Sequence, residues 1–600
     1  MRKKNITARA FKLYSSYNPK YFPLRFAETI FSNLSPYFNL WMSSEIVTAL
    51  YQGRPRRELL LLTAVTLCGN LIVWVIQAVL NRSTEIAEKI LKNNEAAAFH
   101  RKTLSLDYDK LENPEIRRLR RRIVENSWIN GYGTSYMQYN IRKLMKSAAN
   151  LIFSLALLTE MLCLIASTTF HWLSAVFLAA ILAAMILNIL CLARNTEKDA
   201  AMYDEIGRFM LLENQYSDGY QVSGMDNRIY RQQLIIDRIE DKINKDHLKC
   251  FSAVSRKEFF MNIPCKVLLR LSELFSYLLI CLYCSLGAFP VGSVIKYVGY
   301  LGKVSTNVGD MFTAIAGLHS NERFLETYLE FLDIPNDMYQ GDLTVEKRSD
   351  KKFDIDFRNV SFQYAGSDSY ALKNINLQLK VGERLAVVGK NGSGKTTFIK
   401  LLCRLYDPTE GEIYMNDFNI RKYDYRQYLD IFSVVFQDYR LLSASLGSNV
   451  SSSAEWDTAK AEKLLYQVGF GERYEKLSKK LETSLYKDFD QDGINISGGE
   501  AQKIALARAL YKDAPFIILD EPTAALDPVA EAEIYSRFDE IVEDKTAIYI
   551  SHRLSSCRFC DKIAVFDKGE IVQLGTHEEL LSDSNGLYHE LWYAQAQYYT

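Results

Sequence analysis

Gly389-Lys-Asn-Gly-Ser-Gly-Lys-Thr396 is a complete G-x-x-x-x-G-K-[ST] loop. Its flanks decide what it means. Arg384-Leu-Ala-Val-Val388 before it is a short apolar run that reads as a buried strand, and Thr397-Phe-Ile-Lys-Leu-Leu402 after it reads as a helix. A strand, a Gly-rich turn and a helix N-terminus make an anion site, because backbone N–H groups and the helix dipole both point at phosphate. The turn offers Gly389, Asn391, Gly392, Ser393 and Gly394, with Lys395 reaching the β- and γ-phosphates of a nucleotide. Thr396 offers a hydroxyl to Mg²⁺, and Thr397 opens the helix.

Four downstream segments fit that chemistry. Phe516-Ile-Ile-Leu-Asp520 is an apolar strand ending in an acid, followed by Glu521. An acid at a strand end can hold Mg²⁺, and its neighbour can orient or deprotonate an attacking water. Ile496-Ser-Gly-Gly-Glu500 is a small-residue turn ahead of a helix over Ala501–Leu510, and its exposed N–H groups offer a second phosphate site. Thr546-Ala-Ile-Tyr-Ile-Ser-His552 reads as another buried strand ending in a histidine. Gln437 follows the apolar run Phe432–Phe436 and can contact Mg²⁺ or water.

With these motifs in this order, residues 353–600 resemble the nucleotide-binding domain of an ATP-binding cassette (ABC) transporter. The resemblance implies that Tyr364 stacks on adenine, Gln437 is the Q-loop glutamine and Asp520 the Walker B aspartate. It implies Glu521 as catalytic base, His552 as the switch histidine and Ala525-Leu-Asp527 as the D-loop. Ser497, Gly498 and Gly499 resemble the signature that caps ATP held by a second copy of the domain. The usual Leu-Ser-Gly-Gly-Gln reads here Ile496-Ser-Gly-Gly-Glu500, and Asp490-Gln-Asp-Gly493 replaces the common Gly-Glu-Arg-Gly. Asp488-Phe-Asp-Gln-Asp-Gly493 combined with Gln502–Arg508 looks most like the bacterial peptide and lanthipeptide exporter branch.

Six hundred residues suit two large domains. Lys+Arg and Asp+Glu are both 72, so there is no basic excess to track nucleic acid. The ten cysteines are scattered, and Cys281-x-x-Cys284 and Cys557-x-x-Cys560 are isolated pairs that read as packing rather than zinc or redox sites. A mean hydropathy of −0.11 averages an apolar half and a polar half. The first half carries six candidate spans, about 24–50, 59–80, 148–168, 172–193, 266–286 and 291–318. Glu28 and Glu45 weaken the first, and Lys296, Lys303 and Asp310 weaken the sixth. An even number of spans puts both termini on one side, and the ATPase must face cytosolic ATP. The segment Arg82–Lys146 carries 14 Lys/Arg, in line with a cytosolic position, whereas Arg54, Arg56 and Arg57 in the first loop run against the tendency. Met1–Lys20 lacks an apolar signal core and reads as an amphipathic segment at the membrane surface, with no leader-peptidase domain before span 1.

Residues 81–147 and 194–265 are too long to be structureless. They read as spans continued into the cytosol, each extra ~25 residues adding roughly 37 Å of helix. Breaks fall at Asn113-Pro114 and from Ser217 to Gly224. This layout resembles the type I ABC exporter fold, which implies short coupling helices at the tips, with Leu106–Glu115 and Val222–Tyr230 as candidates. The fold class is therefore an α-helical membrane domain of six spans with long cytosolic extensions (1–330), a linker (331–352) and an α/β P-loop NTPase domain (353–600). Glu160, Glu273 and Glu45 lie within spans, where an acid either meets a cationic substrate or is ion-paired and solvated. The reading is a half-transporter of the cytoplasmic membrane. It pairs with a second half, a homodimer being favoured over a heterodimer, and uses ATP and Mg²⁺ to export a substrate. Peptide is favoured, multidrug or lipid export is the alternative, and a nucleotide-gated regulator without turnover ranks below both.

Overall fold

The computed structural model describes residues 5–128, 131–166, 172–195, 228–345, 353–521, 545–551 and 554–596. The chain divides into two compact units, one of Met1–Leu106 with Pro114–Pro335, the other of Asp107–Asn113 with Asn336–Thr600.

The first unit is helical. In chain order the helices are α1 (Ile6–Tyr17), α2 (Tyr21–Tyr51), α3 (Arg56–Ser105), α4 (Tyr108–Glu112), α5 (Pro114–Trp128) and α6 (Thr134–Ala166). Then come α7 (Trp172–Asn195), α8 (Gln233–Ser285), α9 (Ser293–Ser320) and α10 (Glu322–Asp333). The short α4 belongs to the second unit. At ~1.5 Å per residue, α3 and α8 are roughly 75–80 Å long, far beyond the ~30 Å of a bilayer core. The apolar spans thus run on as helices, as their composition predicts. The break expected at Asn113-Pro114 separates α4 from α5, because proline cannot continue a preceding helix but suits a helix start. The break near 217–224 and most of Val222–Tyr230 lie outside the described residues.

Among the described residues, four helices are long and apolar enough to cross a membrane: α3, α6, α7 and α8. Helices also cover the other two expected spans, as α2 and α9, yet they are too polar to meet that criterion. The reason is in their neighbours. Along α9 the polar side chains meet α6 in antiparallel register. Lys296 Nζ pairs with Glu160 at 3.0 Å, Asn150 donates to Asn307 at 3.0 Å, and Lys143 pairs with Asp310 at 3.1 Å. Beyond the ends of both helices, Asn321 donates to Gly133 O at 2.7 Å and accepts from its N–H at 2.8 Å. A similar seam joins α2 to α3. Arg25 pairs with Glu88 at 2.7 Å, Ser35 donates to Asn70 at 2.8 Å, and Gln77 donates to Phe31 O at 3.2 Å. Buried polar groups cost little when each meets a partner, so both helices tolerate a composition that a lone span would not.

The N-terminal segment expected to be amphipathic forms α1. It buries Ala10 and Tyr14 in a cluster with Tyr21, Leu91, Met137 and Leu325, and Arg9 grips Asp333 of α10 through a forked pair at 2.5 and 2.7 Å. Its apolar face is covered by protein.

The second unit is α/β. A four-stranded antiparallel sheet runs in the order β2 (Leu372–Leu379), β1 (Ile355–Phe362), β4 (Glu410–Met415), β5 (Phe418–Asn419). A six-stranded sheet runs β10 (Glu570–Gly575), β9 (Lys562–Asp567), β3 (Arg384–Gly389), β8 (Thr546–Ile550), β7 (Phe516–Asp520), β6 (Phe432–Val435). All its pairs are parallel except β9–β10. The parallel strands read as unbroken apolar runs because both faces are covered. One core holds Phe357, Ile375, Val387 and Ile413 around helix α11 (Lys395–Leu402), which contributes Phe398 and Leu402. The other packs Leu446, Leu465 and Leu519 against helix α12 (Gly498–Lys512), which contributes Ile504. Parallel register brings the carboxyl ends of β3 and β7 to one edge of the sheet, where ligands of open α/β sheets bind.

The Lys296–Glu160 pair is buried at one end only, with side-chain exposures of 6% and 58%. Glu160→Ala should therefore strand a buried ammonium and destabilise the helical unit by about 1–3 kcal/mol, less than for a fully enclosed pair. Glu160→Leu combined with Lys296→Met should restore most of the loss in detergent thermal unfolding. Equal stability of Glu160→Ala and wild type would show that the pair contributes nothing.

Candidate active site

The loop after β3 is built by backbone conformations that only glycine adopts easily. Gly389, Gly392 and Gly394 have φ of 148°, 78° and 105°. A Cβ on Gly389 would lie 2.2 Å from Phe566 O, and one on Gly394 would lie 2.6 Å from Leu372 Cδ2. Helix α11 then starts at Lys395, two residues earlier than its apolar pattern indicates, so Lys395 and Thr396 sit in its first turn. Their N–H groups are among those a helix leaves without internal partners.

A cavity of about 780 Å³ opens over this turn. Asn391, Gly392, Gly394, Lys395, Thr396 and Thr397 line it from the loop, and Tyr364, Gln437, Asp520 and Glu521 line it from three other segments. Ten positions singled out from sequence thus converge on one space. Gly389 and Ser393 are not in the lining. Gly389 presses against β9, and Ser393 is buried with its hydroxyl unpartnered while its carbonyl accepts from Gly569 N–H at 3.1 Å. Ser497, Gly498 and Gly499 lie elsewhere on the unit, and His552 and the segment 525–527 fall outside the described residues.

Charge is concentrated and desolvated here. Lys395 is buried, and Nζ donates to Gly389 O at 2.9 Å and Lys390 O at 3.1 Å. Burial lowers its pKa, opposed by the charges of Glu521 and Asp520. Asp520 is 2% exposed. Burial first, then the charge of Glu521, pushes its pKa up to about 6, against the pull of Lys395 and a hydrogen bond from Thr396. Its Oδ2 is buried without a hydrogen-bond partner. A carboxylate oxygen left bare beside a threonine hydroxyl fits a hard divalent cation. No cluster of three or more His, Cys, Asp or Glu occurs among the described residues, so such an ion would take its remaining oxygens from water and nucleotide, as Mg²⁺ does.

Glu521 is placed by a backbone that turns sharply at the strand end. Its φ is 51°, a left-handed conformation unusual for glutamate. Two bonds hold it there: Glu521 N–H donates to Ile550 O at 3.0 Å, and Gln502 of α12 donates to Glu521 O at 3.0 Å. The carboxylate then accepts from Gln437 Nε2 at 3.0 Å. Tyr364 also lines the cavity, its hydroxyl 3.0 Å from Thr397 Oγ1.

Sequence reading missed two supports. One is Gln502. The other is the β9–β10 turn, where Lys568 and Gly569 both have positive φ (49° and 87°) and both line the cavity. A residue–Gly pair between two apolar runs is a hairpin signal, and it was there to be read in Asp567-Lys-Gly-Glu570. The departure at Glu500 also acquires a reason. Ser497 caps α12 and accepts from Glu500 N–H at 3.3 Å, while Glu500 Oε2 accepts from Ser497 N–H at 2.8 Å, a reciprocal capping box. Glu500 Oε1 also pairs with Arg473 at 3.1 Å.

Gly389→Ala should disrupt this loop, since the new methyl meets a strand carbonyl at a φ that L-residues avoid. We expect loss of fluorescent-nucleotide binding together with a destabilisation of about 2 kcal/mol or more. Retained binding at wild-type stability would contradict this account of the loop.

Residues 372–524 match the ABC transporter family. The subtilin transport ATP-binding protein SpaT of Bacillus subtilis is 36% identical over 344 residues, 56% of this chain and 55% of the relative. The nisin transport ATP-binding protein NisT of Lactococcus lactis is 33% identical over 357 residues, 59% of each. The ATP-dependent lipid A-core flippase of Escherichia coli K12 is 35% identical over 271 residues, 44% of this chain and 45% of the relative. The chain thus spans little more than half the length of the first two curated relatives. A solved bacterial Atm1-family ABC exporter with ATP bound superposes with a TM-score of 0.69 at 19% identity, covering 96% of this chain and 98% of that one. That likeness covers the helical unit as well as the α/β unit. The chain therefore carries an ABC transporter ATP-binding domain fused to an N-terminal helical membrane domain, with the fold of an ABC exporter.

Proposed function

We propose that this chain is one half of an exporter of the cytoplasmic membrane that hydrolyses ATP to move its cargo outward. The carrying observation is the convergence of Lys395, Thr396, Gln437, Asp520 and Glu521 on one desolvated cavity. Lys395 and the first turn of α11 bind the β- and γ-phosphates, and Tyr364 stacks on adenine. Thr396, Asp520 and Gln437 hold Mg²⁺, which when bound neutralises charge on the phosphates. Glu521 takes the proton of the attacking water, and His552 contacts the γ-phosphate. Ser497, Gly498 and Gly499 do not line the cavity, which supports a dimer in which each chain caps the other's ATP. All catalytic positions are intact in this one sequence, which favours a dimer of two identical chains over a heterodimer. A heterodimer requires a partner gene. Both termini are cytosolic.

Peptide is the favoured cargo, supported by the names of SpaT and NisT. A second reading, lipid export, draws on similarity to the lipid A-core flippase. The acids within the helices do not decide between them. Glu160 pairs with Lys296, and Glu273 pairs with Arg270 at 2.5 Å, so neither leaves an uncompensated negative charge for a cationic cargo to meet.

Glu521→Gln should retain ATP binding and lose hydrolysis by about 10²–10⁴-fold. Lys395→Ala should weaken nucleotide binding itself. Hydrolysis by purified Glu521→Gln at the wild-type rate would remove Glu521 from the chemistry, and a wild-type chain that binds ATP without turnover would favour the gated regulator.

Reconstituted into vesicles, the dimer should show ATPase stimulated by bacterial cationic or amphipathic peptides. Glu160→Gln should leave that stimulation in place, since its carboxylate serves Lys296. Stimulation by lipid A-type lipids and by no peptide would select the second reading.

A further inference from the structure

Tyr364 is tied to helix α4 through one shared ring and one shared ammonium. Its ring meets Tyr406 edge-on, with centroids 5.5 Å apart and planes at 89°. Tyr406 meets Tyr108 of α4 in the same way, at 5.5 Å and 90°. Lys400 of α11 holds Nζ 5.3 Å from the Tyr108 centroid, 5.9 Å from Tyr406 and 6.0 Å from Tyr364. Tyr406 is buried between the other two. At its N-terminus α4 is pinned by Asp107, whose Oδ2 accepts from Asp337 N–H at 2.8 Å and Met338 N–H at 3.0 Å. The chain enters α4 directly from α3 and leaves it into α5, so this segment is covalently continuous with the membrane domain on both sides.

We propose that Tyr406, with Lys400, is a positioning residue that couples occupation of the Tyr364 platform by a nucleobase to the seating of α4. The inference rests on Tyr364 being the adenine platform. Edge-to-face rings hold each other only at a defined mutual angle. A base stacked on Tyr364 fixes that ring's plane, and so fixes the edge it offers Tyr406 and, through Tyr406, the seat of Tyr108. Lys400 can lie best over only one arrangement of the three rings. The coupling is reciprocal: a well-seated α4 favours the base, and a bound base favours a seated α4. It needs the base alone and not the γ-phosphate, so it acts before two nucleotide domains close on ATP. One edge-to-face pair corresponds to a factor of about 2–10 in an equilibrium.

Hydrogen exchange of amides 107–113 in the full-length chain in detergent tests this. ADP should slow their exchange by at least about threefold, and saturating pyrophosphate, which fills the loop without a base, should not. Tyr406→Phe should keep the slowing. Tyr406→Leu should abolish it and raise KM for ATP more than it lowers kcat, with ADP binding followed by calorimetry. If Tyr406→Leu does not fold, Lys400→Gln should reduce the slowing. Equal protection by ADP and pyrophosphate, or full protection in Tyr406→Leu or Lys400→Gln, would overturn the proposal. Absence of ADP binding to the wild-type chain would instead sink the nucleotide reading beneath it.

Discussion

A buried ammonium and two carboxylates share the edge of one sheet, and the α/β unit is arranged around that fact. Among the described residues, Lys395 is desolvated and donates to two carbonyls, and Asp520 keeps one oxygen bare. The ammonium is tolerated because two carbonyls accept from it and the carboxylates lie near it, and the carboxylates because they face the ammonium and the positive start of α11. The protein leaves them incompletely paired, and polyphosphate with a divalent cation supplies what each lacks. The same need explains the left-handed turn at Glu521, which swings the next carboxylate off the strand end toward Gln437. Local strain there, on the order of 1 kcal/mol, is offset by the bond Glu521 N–H donates to Ile550 O and the one its carbonyl accepts from Gln502.

The strands and the phosphate loop were legible in sequence because their signals are local. Arg384–Val388, Phe516–Asp520 and Thr546–Ile550 are buried on both faces, so each reads as an apolar run with no help from distant residues. The site positions followed from the motifs, and ten of them line one cavity. What escaped was support from elsewhere in the chain. The contact of Gln502 with Glu521 O and the packing of Lys568-Gly569 against the loop depend on register between separate elements. The capping by Glu500 was legible as the S-x-x-E spacing Ser497-Gly-Gly-Glu500, whereas its pairing with Arg473, which comes from a distant segment, was not.

The helical unit shows the opposite bias. Hydropathy identifies α3, α6, α7 and α8 and undervalues α2 and α9. A window average counts Lys296, Lys303 and Asp310 as costs and cannot see Glu160 or Lys143 waiting on α6. Glu160 and Glu273, two of the acids that composition marks as cargo contacts, are in the folded chain partners of Lys296 and Arg270. The partners of α1 were equally out of sight in the sequence: Ala10 and Tyr14 pack with Leu325 and Leu329 of α10.

The seam between α6 and α9 also bears on how the chain is made. Translation delivers α6 long before α9, and a segment carrying Lys296, Lys303 and Asp310 enters lipid poorly by itself. With α6 already present, each of Lys296, Asn307 and Asp310 finds its partner as it arrives. The earlier helix acts as an intramolecular chaperone for the later one, and biogenesis of the membrane domain is ordered by pairing rather than by hydrophobicity alone.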